Sequence, residues 1–457
     1  MLRTGPGDRF DHCRRRRFRR VLWMSSLPPA PPAQPLLPPE AIEAPGLATA
    51  LEQVNAQRML ASVAELASDD YAGRRVGTPG GQAAATWLAE RLRELGAGVR
   101  FDPFGVSSVR ELYRTPVLQW SDGEMTRSLA HRREFAEHLA SAELPDPRSA
   151  PLADLSAADL RGHWVLAPAG DWAQACRRAE AEGAVGVLMA RGTDADGWMP
   201  KMIAGPARRA VAVIGVRTDL HRQLADALIS NNEVRVTASM PLRAVSAGGV
   251  NVHGHLPTGL DGPDGAAGGP DRSAGGPRVL LSAHFDGVGD DPGRRLPAAA
   301  DNASGVAAVL EAARVLRAAL TAPVDLSVSF LDAEEAGAWG SAHHASQVPP
   351  DTLVINLDGA AQLHQAAAVE AGGPAHALLA TLDQAARLTG VPLRAGAMAS
   401  DNRRYAAAGL AAIGIGMGMP GYQTPAETPD RVEPDTLLAA ARLLVATVWL
   451  LAQPPRA

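Results

Sequence analysis

The chain has 457 residues, of which 46% are hydrophobic and 20% charged, and a formal net charge of −5. The length exceeds one ordinary domain of roughly 100–200 residues, and the composition excludes a chain that is mostly disordered. So small a net charge excludes a general nucleic-acid binder whose affinity would come from neutralising phosphates.

In chain order, the N-terminal segment "RRRRFRRVLWMSSLPPAPPAQPLLPP" has the basic start of a secretory leader. Its apolar stretch is short and interrupted by serines. It reads as a disordered Arg/Pro-rich tail over residues 1–40, which favours a cytoplasmic location over a secreted one. Order is expected from near Ala41, with apolar residues at helical spacing over residues 42–68 and no turn signal after Pro45, and an amphipathic helix over residues 82–97 is stopped by Gly96. Between them lies the loop "DDYAGRRVGTPGG". Over residues 112–245 strands and a helix alternate as "HWVLAPAG", "DWAQACRRAEAEG", "AVGVLMARG" and "RRAVAVIGV". This predicts a small mixed α/β domain that shapes or covers a site. A Gly/Pro/Asp-rich loop follows over residues 256–277. After it come the strand "RVLLSAHFD", a helix, the strand "VDLSVSFLDAEE", the strand "TLVINLDG", a helix, the strand "LAAIGIGM" and a closing helix. Strands that are apolar throughout and alternate with helices predict an α/β fold with a mostly parallel, doubly wound sheet covered on both faces. No run of about 18 apolar residues is read, so no membrane span is expected. Cys13 and Cys176 are too few and too far apart for a disulfide framework or a thiolate zinc site. Lys201 is the only lysine, which reads as a matter of overall composition.

Ligands in such sheets bind beyond the carboxyl ends of the strands. There the sequence places His284 and Asp286, Asp301, Glu334 and Glu335, and Asp358. One acid alone would be a helix cap or a turn residue. Five together repel unless a cation neutralises them, and with one histidine and no thiolate the set suits Zn²⁺, with Mn²⁺ or Co²⁺ as alternatives.

The ordered motifs "HFD", "DNASG", "DAEEAGAWGS", "NLD" and "SDN" resemble the M28 family of zinc metallopeptidases. "YAGRRVGTPGG" is similar to that family's N-terminal segment, and residues 162–192 resemble the protease-associated domain that many members carry as an insertion. The resemblance implies a peptidase domain from residues 41–111 and 246–457, interrupted by a protease-associated-like domain over residues 112–245. It implies an aminopeptidase acting on a peptide or small amide substrate through one or two zinc ions. His284 and Asp358 would hold the first, Asp301 would bridge, Glu335 would serve the second, Glu334 would be the general base and Asp286 would orient His284. In "YQTPAETPD" the sequence departs from the family pattern: Gln423 stands where a histidine ligand is expected and Glu427 where an aspartate is expected. A neutral amide is a weaker zinc ligand than imidazole, so the second ion is expected to bind loosely. A non-catalytic binding module and a different zinc reaction, cyclisation or deacylation, are the alternative readings.

Overall fold

The computed structural model describes residues 44, 46–230, 233–256, 258 and 276–453. The expected tail over residues 1–40, and all but the ends of the expected loop over residues 256–277, lie outside the described residues.

Sixteen strands, numbered in chain order among the described residues, form two sheets. The first runs, edge to edge, as β1 (Gly98–Leu112), β10 (Leu242–His255), β12 (Asp325–Leu331), β11 (Arg278–His284), β13 (Leu353–Leu357), β16 (Ala411–Gly416), β14 (Ala367–Gly372) and β15 (Leu393–Ala395). Its centre, β12-β11-β13-β16, is parallel. Both flanks are joined antiparallel, β10 to β12 and β14 to β16. The central strands read as unbroken apolar runs because both their faces are covered. Val279, Leu281 and Ala283 of β11 pack in one core with α2 (Ala56–Leu66), α6 (Ser304–Ala319), α8 (His376–Thr389) and α10 (Pro434–Leu451). Leu280 on the opposite face packs with Ala345 of α7 (Trp339–Ala345) and Tyr405 of α9 (Asn402–Ala407).

Between β1 and β10 the chain leaves this sheet and builds the second, in the order β3 (Thr126–Ser128), β2 (Leu118–Ser121), β9 (Arg235–Met240), β5 (Leu144–Asp154), β6 (Trp164–Leu166), β7 (Gly186–Arg191), β8 (Ala212–Arg217) and β4 (Phe135–Glu137). With α4 (Trp172–Glu182) and α5 (Thr218–Ser230) it buries cores of its own. α4 ends at Gly183, whose φ of 76° is the left-handed cap that glycine adopts without strain.

Three expectations need correction. Among the described residues up to Ala67 there is not one helix but two: α1 (Leu47–Glu52) stops and α2 restarts at Asn55, whose side chain accepts the Arg58 N–H. The long ribbon of β1 and β10 was not expected, since β1 is an edge strand with many exposed side chains and no clean alternation. α10 is long and apolar enough, by length and composition, to cross a membrane; in the fold most of it is buried against α6 and α8.

Candidate active site

The carboxyl ends of the parallel strands gather the polar residues. β11 ends at His284, buried with Asp286 beside it. His284 Nδ1 lies 3.1 Å from the Asp286 carbonyl oxygen, which can only accept, so Nδ1 carries the proton. The lone pair on Nε2 therefore faces Asp301 Oδ1 and Asp358 Oδ1, each at 3.1 Å. Three acceptors meeting in a buried space call for a cation at their centre. Donor atoms of His284, Asp301 and Asp358 all lie within 4.8 Å of one another. An imidazole with two carboxylates fits zinc. Burial alone would lower the His284 pKa, but Asp358, Asp286 and Asp301 raise it well above its usual value, so the acids that would share a cation with Nε2 otherwise favour a proton there.

The Asp286 carboxylate accepts the backbone N–H groups of Glu334 at 3.0 Å and Glu335 at 3.2 Å. It thus fixes the turn where β12 delivers both acids, in addition to standing beside the imidazole. Burial, and then the carboxylates of Asp358, Asp401 and Asp301, raise the Glu334 pKa well above the ordinary carboxyl range. Glu335 is raised by burial and then by Asp301.

Asp301 precedes α6, and its neighbour Asn302 locks it to the Asp358 loop. The Asn302 side chain donates to the Leu357 carbonyl and accepts the N–H groups of Gly305 and Gly359. Gly305 is required here, because a Cβ would stand 2.2 Å from Asn302 Oδ1.

Gln423 does reach this group, held at a φ of 54°. Its amide Nε2 donates to Glu335 Oε2 at 2.5 Å, while Gln423 Oε1 and Glu335 Oε1 are buried without partners. The amide nitrogen therefore meets the carboxylate from the position where a ligand to a second cation is expected. His343 and His344 supply no substitute: His343 meets Asp102 and His344 meets Tyr405. His364 lines a cleft beside Asp358.

Three residues belong here that the sequence did not assign. Arg74 is fully buried and donates to the carbonyls of Phe285, Leu66, Pro297 and Ala298, tying the chain after His284 to the chain before Asp301. The "GRR" motif was its only signal. Asp401 of "SDN" accepts from Ser341 through Oδ1 and leaves Oδ2 buried and unpartnered. Burial, with Asp358 and Asp286 nearby, pushes its pKa up to about 7. The Tyr422 phenol stays protonated, its pKa raised by burial and then by Asp301, Glu335, Glu334 and Asp358. Beside Asp358 and Tyr422 opens a cleft of about 640 Å³, with Leu363, Met398 and Met419 in its walls. Tyr405, seven residues beyond Met398, is wholly buried elsewhere.

Residues 269–448 match the family model described as Peptidase family M28. Among solved structures, the fold is similar to an aminopeptidase from Aneurinibacillus sp. strain AM-1 (21% identity, 88% of this chain and 95% of that chain, TM-score 0.63). It is similar to BSAP, a zinc aminopeptidase from Bacillus subtilis (20% identity, 87% and 94% covered, TM-score 0.64). It is also similar to a peptidase M28 precursor from Shewanella amazonensis (17% identity, 90% and 97% covered, TM-score 0.64). At these identities the likeness establishes the fold. No curated protein matches the sequence.

Proposed function

We propose that this chain, whose residues 269–448 match the model of peptidase family M28, is a zinc-dependent hydrolase of the aminopeptidase type, removing N-terminal residues from peptides. The observation that carries the reading is the His284 lone pair facing Asp301 and Asp358 in a buried space. His284, Asp301 and Asp358 would hold the tightly bound ion. Asp301 and Glu335, with Gln423, would form a weaker second site. Bound zinc polarises the scissile carbonyl and lowers the pKa of a water nucleophile.

The protein's own groups do the rest. Glu334, less deeply placed than Glu335, takes the proton from the attacking water and returns it to the leaving amine. Asp286 keeps Glu334 aimed through the backbone and keeps the His284 tautomer fixed. Tyr422, whose phenol feels Asp301, Glu335, Glu334 and Asp358, would donate to the oxygen on which charge develops. The cleft beside Asp358 receives the side chain of the residue being removed. We assign residues 41–111 and 246–457 to the peptidase domain and residues 112–245 to a protease-associated-like insertion, on the strength of its separate sheet and cores.

Elemental analysis of purified protein together with turnover of aminoacyl chromogenic substrates tests this reading. We expect one equivalent of tightly held zinc and measurable cleavage. Glu334→Gln should keep the zinc and lower kcat by about 10²- to 10⁴-fold. Protein that binds no zinc and cleaves nothing with metal added would leave the binding-module reading in its place.

A further inference from the structure

Of 44 lysine and arginine residues, one is lysine. Everywhere else this chain uses arginine for its cations, including buried positions such as Arg74 and Arg132. Lys201 is only 5% exposed. Its Nζ donates to the carbonyls of Gly289 and Asp290, each at 2.9 Å, and lies 3.3 Å from Asp291 Oδ1. Three acceptors around one nitrogen suit a compact ammonium with three donors; a planar guanidinium is longer and spreads its donors in a fork. The fork position on Asp291 is already filled by Arg132, which donates to both carboxylate oxygens at 2.7 and 3.0 Å. The place is therefore specific for lysine in a chain that otherwise avoids it.

The same residue reaches the site from its other side. The Lys201 backbone N–H donates to the Gln423 carbonyl at 2.9 Å. Lys201 ends a strap, residues 194–201, that leaves the second sheet and crosses to the peptidase segment at two further points. Asp196 pairs with Arg431 at 2.5 Å, and the Trp198 ring lies between Arg133 and Arg294, 3.4 and 5.0 Å from its centroid. Lys201 thus rivets the turn that follows Asp286 to the loop that carries Gln423.

We propose that Lys201 is a positioning residue: its ammonium anchors the strap of the inserted segment on residues 289–291 and thereby holds Gln423 against Glu335. The proposal rests on the reading that Gln423 and Glu335 belong to the active site. It gives the inserted segment a part in the chemistry, since the last loop of the site is held from outside the peptidase sheet.

Two measurements test it. Lys201 is the only side-chain amine, so labelling intact protein with an amine-reactive acetylating ester, followed by peptide mass spectrometry, reads its anchoring without reference to activity. We expect Lys201 to react at least about 10-fold more slowly than in the unfolded chain. Labelling at the unfolded rate would overturn the anchor. The second is a double-mutant cycle of Lys201→Arg with Gln423→Ala, read by Co²⁺ affinity of the metal-free protein and by kcat/KM. Lys201→Arg should loosen the amide that competes for Glu335, tightening Co²⁺ binding at the weaker site by about fivefold or more while lowering kcat/KM by about tenfold as the loop loses its position. In the Gln423→Ala background it should change neither. An unchanged Co²⁺ affinity in Lys201→Arg, or an effect that persists in full without the Gln423 side chain, would refute the positioning role. The Co²⁺ arm decides the matter even if no peptide is cleaved, so failure of this proposal is distinct from failure of the aminopeptidase reading.

Discussion

Replacing Gln423 with histidine asks most directly what the departure at this position does. In the native protein the Gln423 amide donates to Glu335 Oε2. A second cation must displace that hydrogen bond before it can use Glu335. A hydrogen bond to a charged acceptor contributes about 1.5–3 kcal/mol, so the displacement weakens cation binding by about 10- to 150-fold. Gln423→His removes the competing donor and offers imidazole in its place. Metal-free protein would be titrated with Zn²⁺ against a competing chelator. Native protein should show one tight and one weak equivalent. The variant should tighten the weak one by about tenfold or more while leaving the tight one unchanged. An unaltered second dissociation constant would refute the idea that this amide governs the second site.

Tyr422→Phe should lower kcat by about 10²-fold with little change in KM, as expected for a donor used only where charge develops; an equal rise in KM would instead mark a binding role. Arg74→Leu leaves four buried carbonyls without their donor and should destabilise the fold by about 3–5 kcal/mol in urea denaturation, whereas a loss below 1 kcal/mol would mean those carbonyls find other partners (both magnitudes on the order expected for a broken buried network). Burial lowers the pKa of His253 to about 4 and that of His344 to about 3. The unfolded imidazoles take up protons near pH 6.5 and the folded ones resist, so this stability is complete above that pH and lost as pH falls towards 4 and then 3. The loss should be about 1 kcal/mol per pH unit for each ring. Comparing urea midpoints of the native protein and His344→Gln from pH 7 to pH 4 checks it; parallel curves would show that His344 contributes nothing.

The parallel centre of the fold was legible because strands covered on both faces are apolar without alternation, and their polar residues then stand out at the ends. That is how His284, Asp301, Glu335 and Asp358 could be named together. Local signals also sufficed for α4, which its glycine stops. What was missed depends on partners distant in the chain. Arg74 meets the Phe285 carbonyl 211 positions away, and nothing near "GRR" announces it. Asp401 and Tyr422 sit in motifs that were noticed, yet their closeness to the acids follows from the order of β13, β16 and the loops between them. β1 and β10 escaped because an edge ribbon is half in water, and its glycines at 248 and 249 break the pattern of apolar residues. Lys201 was visible as a singular residue and read as composition; only the geometry of its three acceptors separates the two explanations.

The Glu427 carboxylate accepts the backbone N–H of Asp301 through Oε1 and that of Gln423 through Oε2, at 2.5 and 2.6 Å. One side chain therefore spans two loops. Glu427 thus acts as a brace between the loop that carries Asp301 and the loop that carries Gln423, while the Gln423 side chain itself turns to Glu335. The second of these contacts is to the backbone of residue 423, so Glu427 holds that loop in place whatever side chain the position carries.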